Sequence, residues 1–159
     1  MRTSQNSLEA ICTIGIDVGK NTFHLVGLDK RGAIVLQRKV TRQKLGRLLT
    51  NIPRCLIGME ACSGTHFIAR QLTVLGHDVR LIPAQYVKPF LKGHKNDYRD
   101  AEAIAEAVQR PTMSFVSIKT PEQMDLLDCT VCARAWSGRT CSSAPLRRRA
   151  RRARTRPAA

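Results

Sequence analysis

The chain has 159 residues, a length that allows one domain with its own hydrophobic core. Its net charge of +15 is uneven: residues 1–127 hold 18 Lys and Arg against 11 Asp and Glu, whereas residues 128–159 hold nine Arg against one Asp. A basic chain suits a polyanionic partner. No apolar run reaches about 18 residues, and the N-terminus is polar, so we expect no membrane contact, no secretory signal and a cytoplasmic location.

The first part of the chain predicts a β-meander after a flexible N-terminus of residues 1–10. Apolar runs over residues 11–18, 22–29 and 33–40, separated by short turns, indicate three antiparallel strands. Thr41 fits the N-cap of a helix that ends near residue 49. Residues 54–61 follow as a fourth strand, which is apolar on both faces and is therefore expected near the centre of the sheet.

The rest of the domain alternates helices and strands. Ser63 opens a helix to about Leu75 with Gly76 at its C-terminal end, and a short strand is expected over residues 78–82. Further elements are a short helix or loop over residues 83–91, a helix over 97–108, a short strand over 114–118 and a helix start at 120–122. This order predicts an α/β ribonuclease-H-like fold over residues 11–127, with a mixed sheet, three leading antiparallel strands and flanking helices.

Four acidic residues lie where they can meet. Asp17 and Glu60 stand at or near the ends of two strands expected to be central, and Asp97 and Asp100 are three residues apart on one helix, so they share a face. Four carboxylates from three elements suit hard divalent cations such as Mg²⁺, which assist phosphodiester cleavage in pairs. The alternative is structural, because acids in the first turn of a helix offset its dipole.

Basic residues and glycines near these acids leave alternatives open. Lys20, Lys92, Lys95 and Arg99 lie close to the acids and are candidates to bind phosphates, or only to balance the acidic charge. Gly15 and Gly19 lack the spacing of a phosphate-binding P-loop. The phosphate-binding hairpin of actin-like ATPases is a closer alternative, but it does not explain the segment Lys95-Asn96-Asp97-Tyr98-Arg99-Asp100-Ala101.

Cysteines give weaker signals. Cys12, Cys55 and Cys62 lie in or beside apolar strand-like runs, where buried free thiols are expected. Cys129 and Cys132 form a C-x-x-C, but no second pair follows at zinc spacing, so we predict no zinc site.

Three motifs in order resemble the DEDD transposases of bacterial insertion sequences, a family that includes the Piv-type DNA invertases. They are Gly15-Ile16-Asp17-Val18-Gly19-Lys20, Gly58-Met59-Glu60-Ala61-Cys62-Ser63-Gly64 and Lys95-Asn96-Asp97-Tyr98-Arg99-Asp100-Ala101. The resemblance covers residues 11–127 and implies a RuvC-like N-terminal domain. It assigns Asp17, Glu60, Asp97 and Asp100 as catalytic ligands of Mg²⁺ or Mn²⁺.

The resemblance also implies partners and a missing part. Family members bind insertion-sequence and target DNA, some bind a structured guide RNA, and they act as homo-oligomers. They continue into a second domain with a serine proposed as the covalent nucleophile, whereas Ser137, Ser142 and Ser143 match no nucleophile context. Whether this chain is itself an active enzyme therefore stays open.

The amino-acid composition changes after residue 127. Residues 147–156 are almost pure Arg and Ala, which fits a nucleic-acid-binding arm or GC-rich DNA read out of frame. We favour a frameshift, because moving the frame at codon 128 permits a series whose apolar residues continue the helix begun at Pro121. We thus expect a truncated copy, inactive alone, with a basic and disordered tail over residues 128–159. Sequencing of the gene tests this expectation.

Three functions remain in view from the sequence. The first is the N-terminal domain of a DNA transposase or site-specific recombinase that uses Mg²⁺. The second is a non-catalytic fragment that binds nucleic acid, and the third is a fragment of an actin-like ATPase.

Overall fold

A single mixed sheet forms the centre of the protein. The structure, a computed structural model, describes residue 8 and residues 10–90 and 96–127. Five strands lie in the order β3-β2-β1-β4-β5, with bounds Thr13–Val18 (β1), Thr22–Leu28 (β2), Ile34–Thr41 (β3), Leu56–Glu60 (β4) and Asp78–Ile82 (β5). The first three strands are antiparallel, and β1, β4 and β5 are parallel. The predicted α/β fold with three leading antiparallel strands is confirmed, and the architecture is compatible with a ribonuclease-H-like fold.

Helices connect and cover the strands. Their bounds are Arg42–Thr50 (α1), Ser63–Val74 (α2), Ala84–Val87 (α3) and Asp97–Ala107 (α4), with a 3₁₀ helix over Lys88–Phe90 and a further helix over residues 121–127. Thr41 occupies the N-cap of α1 as predicted, although its side chain makes no capping hydrogen bond. Gly76 follows the end of α2 with a φ of 94°, which glycine adopts at little cost.

The strand predicted over residues 114–118 is wrong. In this segment only Val116 pairs with the sheet, through a single antiparallel bridge to Leu81 of β5. Side chains of α2 bind the backbone that follows: the N–H of Lys119 donates to His66 Nδ1, and the Arg70 guanidinium donates to the carbonyl of Lys119. These contacts hold the backbone at Lys119, directly after the predicted strand.

The sheet is covered on both faces. On one face, buried side chains of alternate positions pack against α1 and α2; the strand residues are Ile14, Ile16, Phe23, Leu25, Ile57 and Met59. On the other face, Val26 and Leu28 of β2 pack against Ala101 and Ala105 of α4. The central strands are therefore apolar in both directions, as predicted for β4.

Two glycines bring α4 against the sheet. A Cβ atom on Gly15 would lie 2.0 Å from the carbonyl oxygen of Ala101, and one on Gly58 would lie 2.9 Å from Cβ of Val108. Gly15 and Gly58 are register partners on the adjacent strands β1 and β4. Any side chain at Gly15 would collide with the helix backbone, so α4 can approach this closely only because glycine stands there.

The described residues up to Met124 form one compact unit. Among the described residues, no helix has both the length and the apolar character needed to cross a bilayer. Cys55 is buried as expected and Cys12 is half-buried, but Cys62 is exposed, because it lies beyond the end of β4 at the N-cap of α2. The predicted tail over residues 128–159, including Cys129 and Cys132, lies outside the described residues.

Candidate metal centre

Two predicted acids stand side by side at the carboxyl ends of the central strands. Asp17 is the penultimate residue of β1, and Glu60 is the last residue of β4. Each lies two positions after a glycine that contacts α4, and side chains two positions apart in a strand point to the same face. Both carboxylates therefore lie on the face that α4 covers, and both are half-buried.

The start of α4 supplies the other two acids. The Asn96 side chain accepts a hydrogen bond of 3.0 Å from the N–H of Tyr98 and so caps the helix. This cap places Asp97 at the first helical position and Asp100 three residues later, on the same side. Asp97 is the more exposed of the pair, with 55% of its side chain accessible.

The pKa of Asp17 shows that the other three acids act on it. Burial raises the pKa of Asp17 above its ordinary value of 3.8, and the charges of Asp100 and Asp97 raise it further, as does that of Glu60 to a smaller extent. His24 acts in the opposite direction and lowers it. The fold thus places the other three predicted acids near enough to act on Asp17, at a cost in electrostatic free energy when Asp17 is ionised.

A histidine that the sequence analysis missed completes the cluster. His24 of β2 is the register partner of Asp17 on β1. Its Nδ1 atom lies 3.5 Å from Oδ2 of Asp97 and 3.9 Å from Oδ2 of Asp17. One ligand atom from each of these three residues lies within 4.8 Å of the other two, which is the spacing of donors that can share a cation.

The ring of His24 is held but its Nδ1 atom is not satisfied. Only 5% of the residue is accessible, and the Tyr98 ring packs edge-on against it with centroids 5.0 Å apart. Nδ1 is buried and has no hydrogen-bond partner among the described residues. Buried polar atoms are nearly always paired, so an unpaired one that faces two carboxylates indicates a ligand or water at that position.

The hairpin register was the signal that could have revealed His24. Residues 17 and 24 face each other across the turn that the hydrogen bond from Gly19 N–H to the Thr22 carbonyl closes at 3.0 Å. The predicted strand limits alone leave the pairing uncertain by one residue, and a shift of one residue would place Phe23 opposite Asp17.

The predicted basic residues are only partly placed. Lys20 is exposed in the turn between β1 and β2, and Arg99 is exposed in the first turn of α4, beside the acids in sequence. Lys92 and Lys95 lie outside the described residues. The described part of the chain therefore has two exposed basic side chains that are close in sequence to Asp17, Asp97 and Asp100.

Comparison with known proteins gives the family. The model of the IS110-type DEDD transposase family, described as "Transposase", matches residues 14–137. The chain belongs to this DEDD transposase family. The match includes all four acids, agrees with the resemblance seen in the three motifs and decides against the actin-like ATPase alternative.

Curated transposases are similar to the same part of the chain. The transposase of insertion sequence element IS1328 from Yersinia enterocolitica is 47% identical over 113 residues, which are 71% of this chain and 34% of the relative. A probable family 20 transposase from Pseudomonas aeruginosa is 46% identical over 110 residues, or 69% and 32%. The transposase of element IS1111A from Coxiella burnetii is 38% identical over 122 residues, or 77% and 34%. This chain spans about a third of the length of these relatives.

Membership of the DEDD transposase family implies chemistry with a divalent metal, and the cluster fits such an ion. Its donors are carboxylate oxygens, which hard divalent cations prefer, together with the unpaired Nδ1 of His24. Burial and the neighbouring acids both raise the pKa of Asp17, and a bound cation would offset both by stabilising its charged form.

Proposed function

We propose that this chain is the cation-binding domain of an insertion-sequence transposase, and that Asp17, Glu60, Asp97 and Asp100 hold Mg²⁺ or Mn²⁺ for phosphodiester chemistry on DNA. The observation that carries the proposal is that Asp17 of β1 lies within ligand-sharing distance of Asp97 and His24 and also responds electrostatically to Asp100 of α4 and Glu60 of β4. Acids that only offset a helix dipole would need no partners on the strands.

We assign roles to the acidic and basic residues from their exposure and position. The half-buried Asp17 and Glu60 form the floor of the cluster, and the exposed Asp97 lies at its open side, where DNA can approach. Divalent cations, when bound, stabilise the charge on the attacking and leaving oxygens of a phosphodiester. We assign Lys20 and Arg99, with Lys92 and Lys95, to the neighbouring phosphates, where basic side chains fix the register of DNA without reading its sequence.

The remaining partners follow from the family resemblance. We propose insertion-sequence and target DNA as substrates, a structured guide RNA as a further partner, and a homo-oligomer as the working form. The net charge of +15 supports binding to both nucleic acids. We also propose that residues 11–127 are the RuvC-like domain and that residues 128–159 are a separate basic tail.

Cation titration of the purified chain tests the metal assignment. We expect Mg²⁺ or Mn²⁺ to raise the melting temperature, and Asp17→Asn and Asp100→Asn each to weaken binding by at least about tenfold in calorimetric titration, because each removes a negative ligand. In parallel, supercoiled DNA that carries insertion-sequence ends is assayed for cation-dependent nicking, and any nicking by the natural chain should be lost in Asp17→Asn.

Asp78→Asn is the matched control. Asp78 is also a strand aspartate, but it lies at the start of β5, at the end of the sheet opposite Glu60, and pairs with Arg80 at 3.0 Å. This variant should bind cations as the natural chain does. DNA binding that depends on salt but ignores both cations and Asp17→Asn would instead indicate a non-catalytic nucleic-acid-binding fragment.

A further inference from the structure

His24 is the feature of the cluster that four acidic ligands do not explain. A buried histidine normally has partners for its ring nitrogens, as His77, just before β5, has in Cys55 and the Leu49 carbonyl. His24 instead points Nδ1 at the carboxylates of Asp17 and Asp97, in a buried position without a hydrogen bond. The position costs free energy unless something else binds that nitrogen.

The spacings suit a shared cation better than a direct hydrogen bond. Nδ1 lies 3.5 Å and 3.9 Å from the two carboxylate oxygens, beyond the usual range of an N–H···O bond. Two ligands of one cation with bonds of about 2.1 Å stand about 3.0 Å apart at a right angle and about 4.2 Å apart across the ion. Both observed distances fall between these limits.

We infer that His24 Nδ1 is a nitrogen ligand of the cation held by Asp17 and Asp97, and that it makes this site prefer Mn²⁺ over Mg²⁺. The inference rests on the proposed function, which supplies the cation. Imidazole binds transition metals far better than it binds Mg²⁺, whereas Mn²⁺ accepts both carboxylate and imidazole. The ring is already oriented by its packing against Tyr98, so little freedom is lost when it binds.

A competing role for His24 predicts the opposite change in cation affinity when the side chain is removed. If His24 were an imidazolium that only balances the acids, its positive charge would repel a cation, and its removal would tighten binding. If His24 is a ligand, its removal weakens binding. The two roles are therefore separated by the direction of one measured change.

Pulsed electron paramagnetic resonance of bound Mn²⁺ tests the ligand directly. We expect ¹⁴N modulation from a coordinated imidazole in the natural chain, a change of that modulation when histidine is ¹⁵N-labelled, and its loss in His24→Asn. The chain has four histidines, so the variant assigns the signal to His24. Since the measurement reads the ligand shell, it needs no DNA cleavage.

Calorimetric titration with each metal alone gives the second readout. His24→Ala should weaken Mn²⁺ binding by at least about tenfold and Mg²⁺ binding less. His24→Asn, which offers an oxygen in place of the nitrogen, should narrow the preference for Mn²⁺. Urea unfolding without metal shows whether each variant folds. If a variant does not fold, the ¹⁵N-histidine-labelled natural chain still shows whether a histidine nitrogen coordinates Mn²⁺.

The outcomes separate this inference from the proposed function. Mn²⁺ binding that Asp17→Asn abolishes but that shows no nitrogen coupling, or that tightens in His24→Ala, overturns the role of His24 and leaves the acidic site in place. A natural chain that binds neither Mn²⁺ nor Mg²⁺ overturns both.

Discussion

Ionisable and polar groups at the two ends of the central strands differ in whether they have partners. Where β4 and β5 begin, His77 contacts the Cys55 N–H at 3.4 Å and the Leu49 carbonyl at 3.2 Å, and Asp78 pairs with Arg80. Where β1 and β4 end, Asp17 and Glu60 meet further acids, and His24 Nδ1 has no partner among the described residues.

This difference separates folding from function. At the first end, burial raises the pKa of the Cys55 thiol to about 12, so the group stays neutral and behaves as a small apolar side chain. At the second end, burial and like charges raise the pKa of Asp17, which makes the folded state less stable whenever this group is ionised. Unpaired polar groups of this kind are expected where a ligand binds.

Gly15→Ala should have the largest effect, because it acts on the contact that places two of the acids. The added Cβ would lie 2.0 Å from the Ala101 carbonyl oxygen, so α4 must move away from β1. We expect a loss of about 3 kcal/mol in the free energy of unfolding, the upper range for overpacking, together with loss of cation binding. Urea unfolding and calorimetry measure the two effects.

Gly46→Ala is the control for that substitution. Gly46 lies within α1, and a Cβ there meets nothing within 4 Å. We expect it to be neutral or stabilising by up to about 1 kcal/mol, because alanine is the better helix former. If the two variants had the same free energy of unfolding and the same cation affinity, Gly15 would not be required for the close packing of α4 on β1.

The two buried histidines should respond differently to the same change. His77→Asn should cost about 2 kcal/mol, because asparagine cannot reach both the Cys55 N–H and the Leu49 carbonyl, and one buried group is left unpaired. His24→Asn breaks no hydrogen bond that the described residues make to Nδ1 and should cost less than about 1 kcal/mol in metal-free protein. Metal-free urea unfolding compares the pair, and a larger loss in His24→Asn would remove the contrast between the two ends.

Much of this arrangement could be predicted from the sequence. Apolar runs placed Asp17 and Glu60 at or near strand ends, and the i, i+3 spacing put Asp97 and Asp100 on one side of α4; their role as metal ligands stays a prediction. Hydrophobic alternation could not reveal His24, because both faces of β2 are apolar and alternation then does not define the register; only the pairing across the hairpin turn does.

The predicted strand over residues 114–118 failed for a related reason. Phe115, Val116 and Ile118 are apolar, but only Val116 bridges to β5, and Arg70 and His66, which lie about 50 residues earlier, bind the backbone at Lys119 directly after the segment. Local patterns do not include such long-range partners, so tertiary contacts overrode the local preference.

The pH dependence of stability should reveal the electrostatic cost at Asp17. The folded pKa of Asp17 is raised above its value of 3.8, so the folded state binds this proton more tightly than the unfolded state. In metal-free protein the contribution of Asp17 is therefore most favourable below that value and is lost as pH rises through the folded pKa. Asp17→Asn should melt a few degrees higher than the natural chain near pH 8, with the gain fading on acidification. Saturating Mg²⁺ should reverse the order, and a variant that is less stable without metal near pH 8 would contradict the electrostatic cost.

The smallest effect is expected at the paired acid of the opposite end. Asp78 and Arg80 are 48% and 40% accessible in their side chains, and exposed pairs contribute less than about 1 kcal/mol. Asp78→Asn should therefore destabilise slightly, and less so in high salt. Arg80→Ala should cost more, because its guanidinium also lies over the Phe115 ring at 5.1 Å. If Asp78→Asn instead stabilised the metal-free protein as Asp17→Asn should, the cost at Asp17 would reflect the charge of any strand aspartate and not the convergence of four acids.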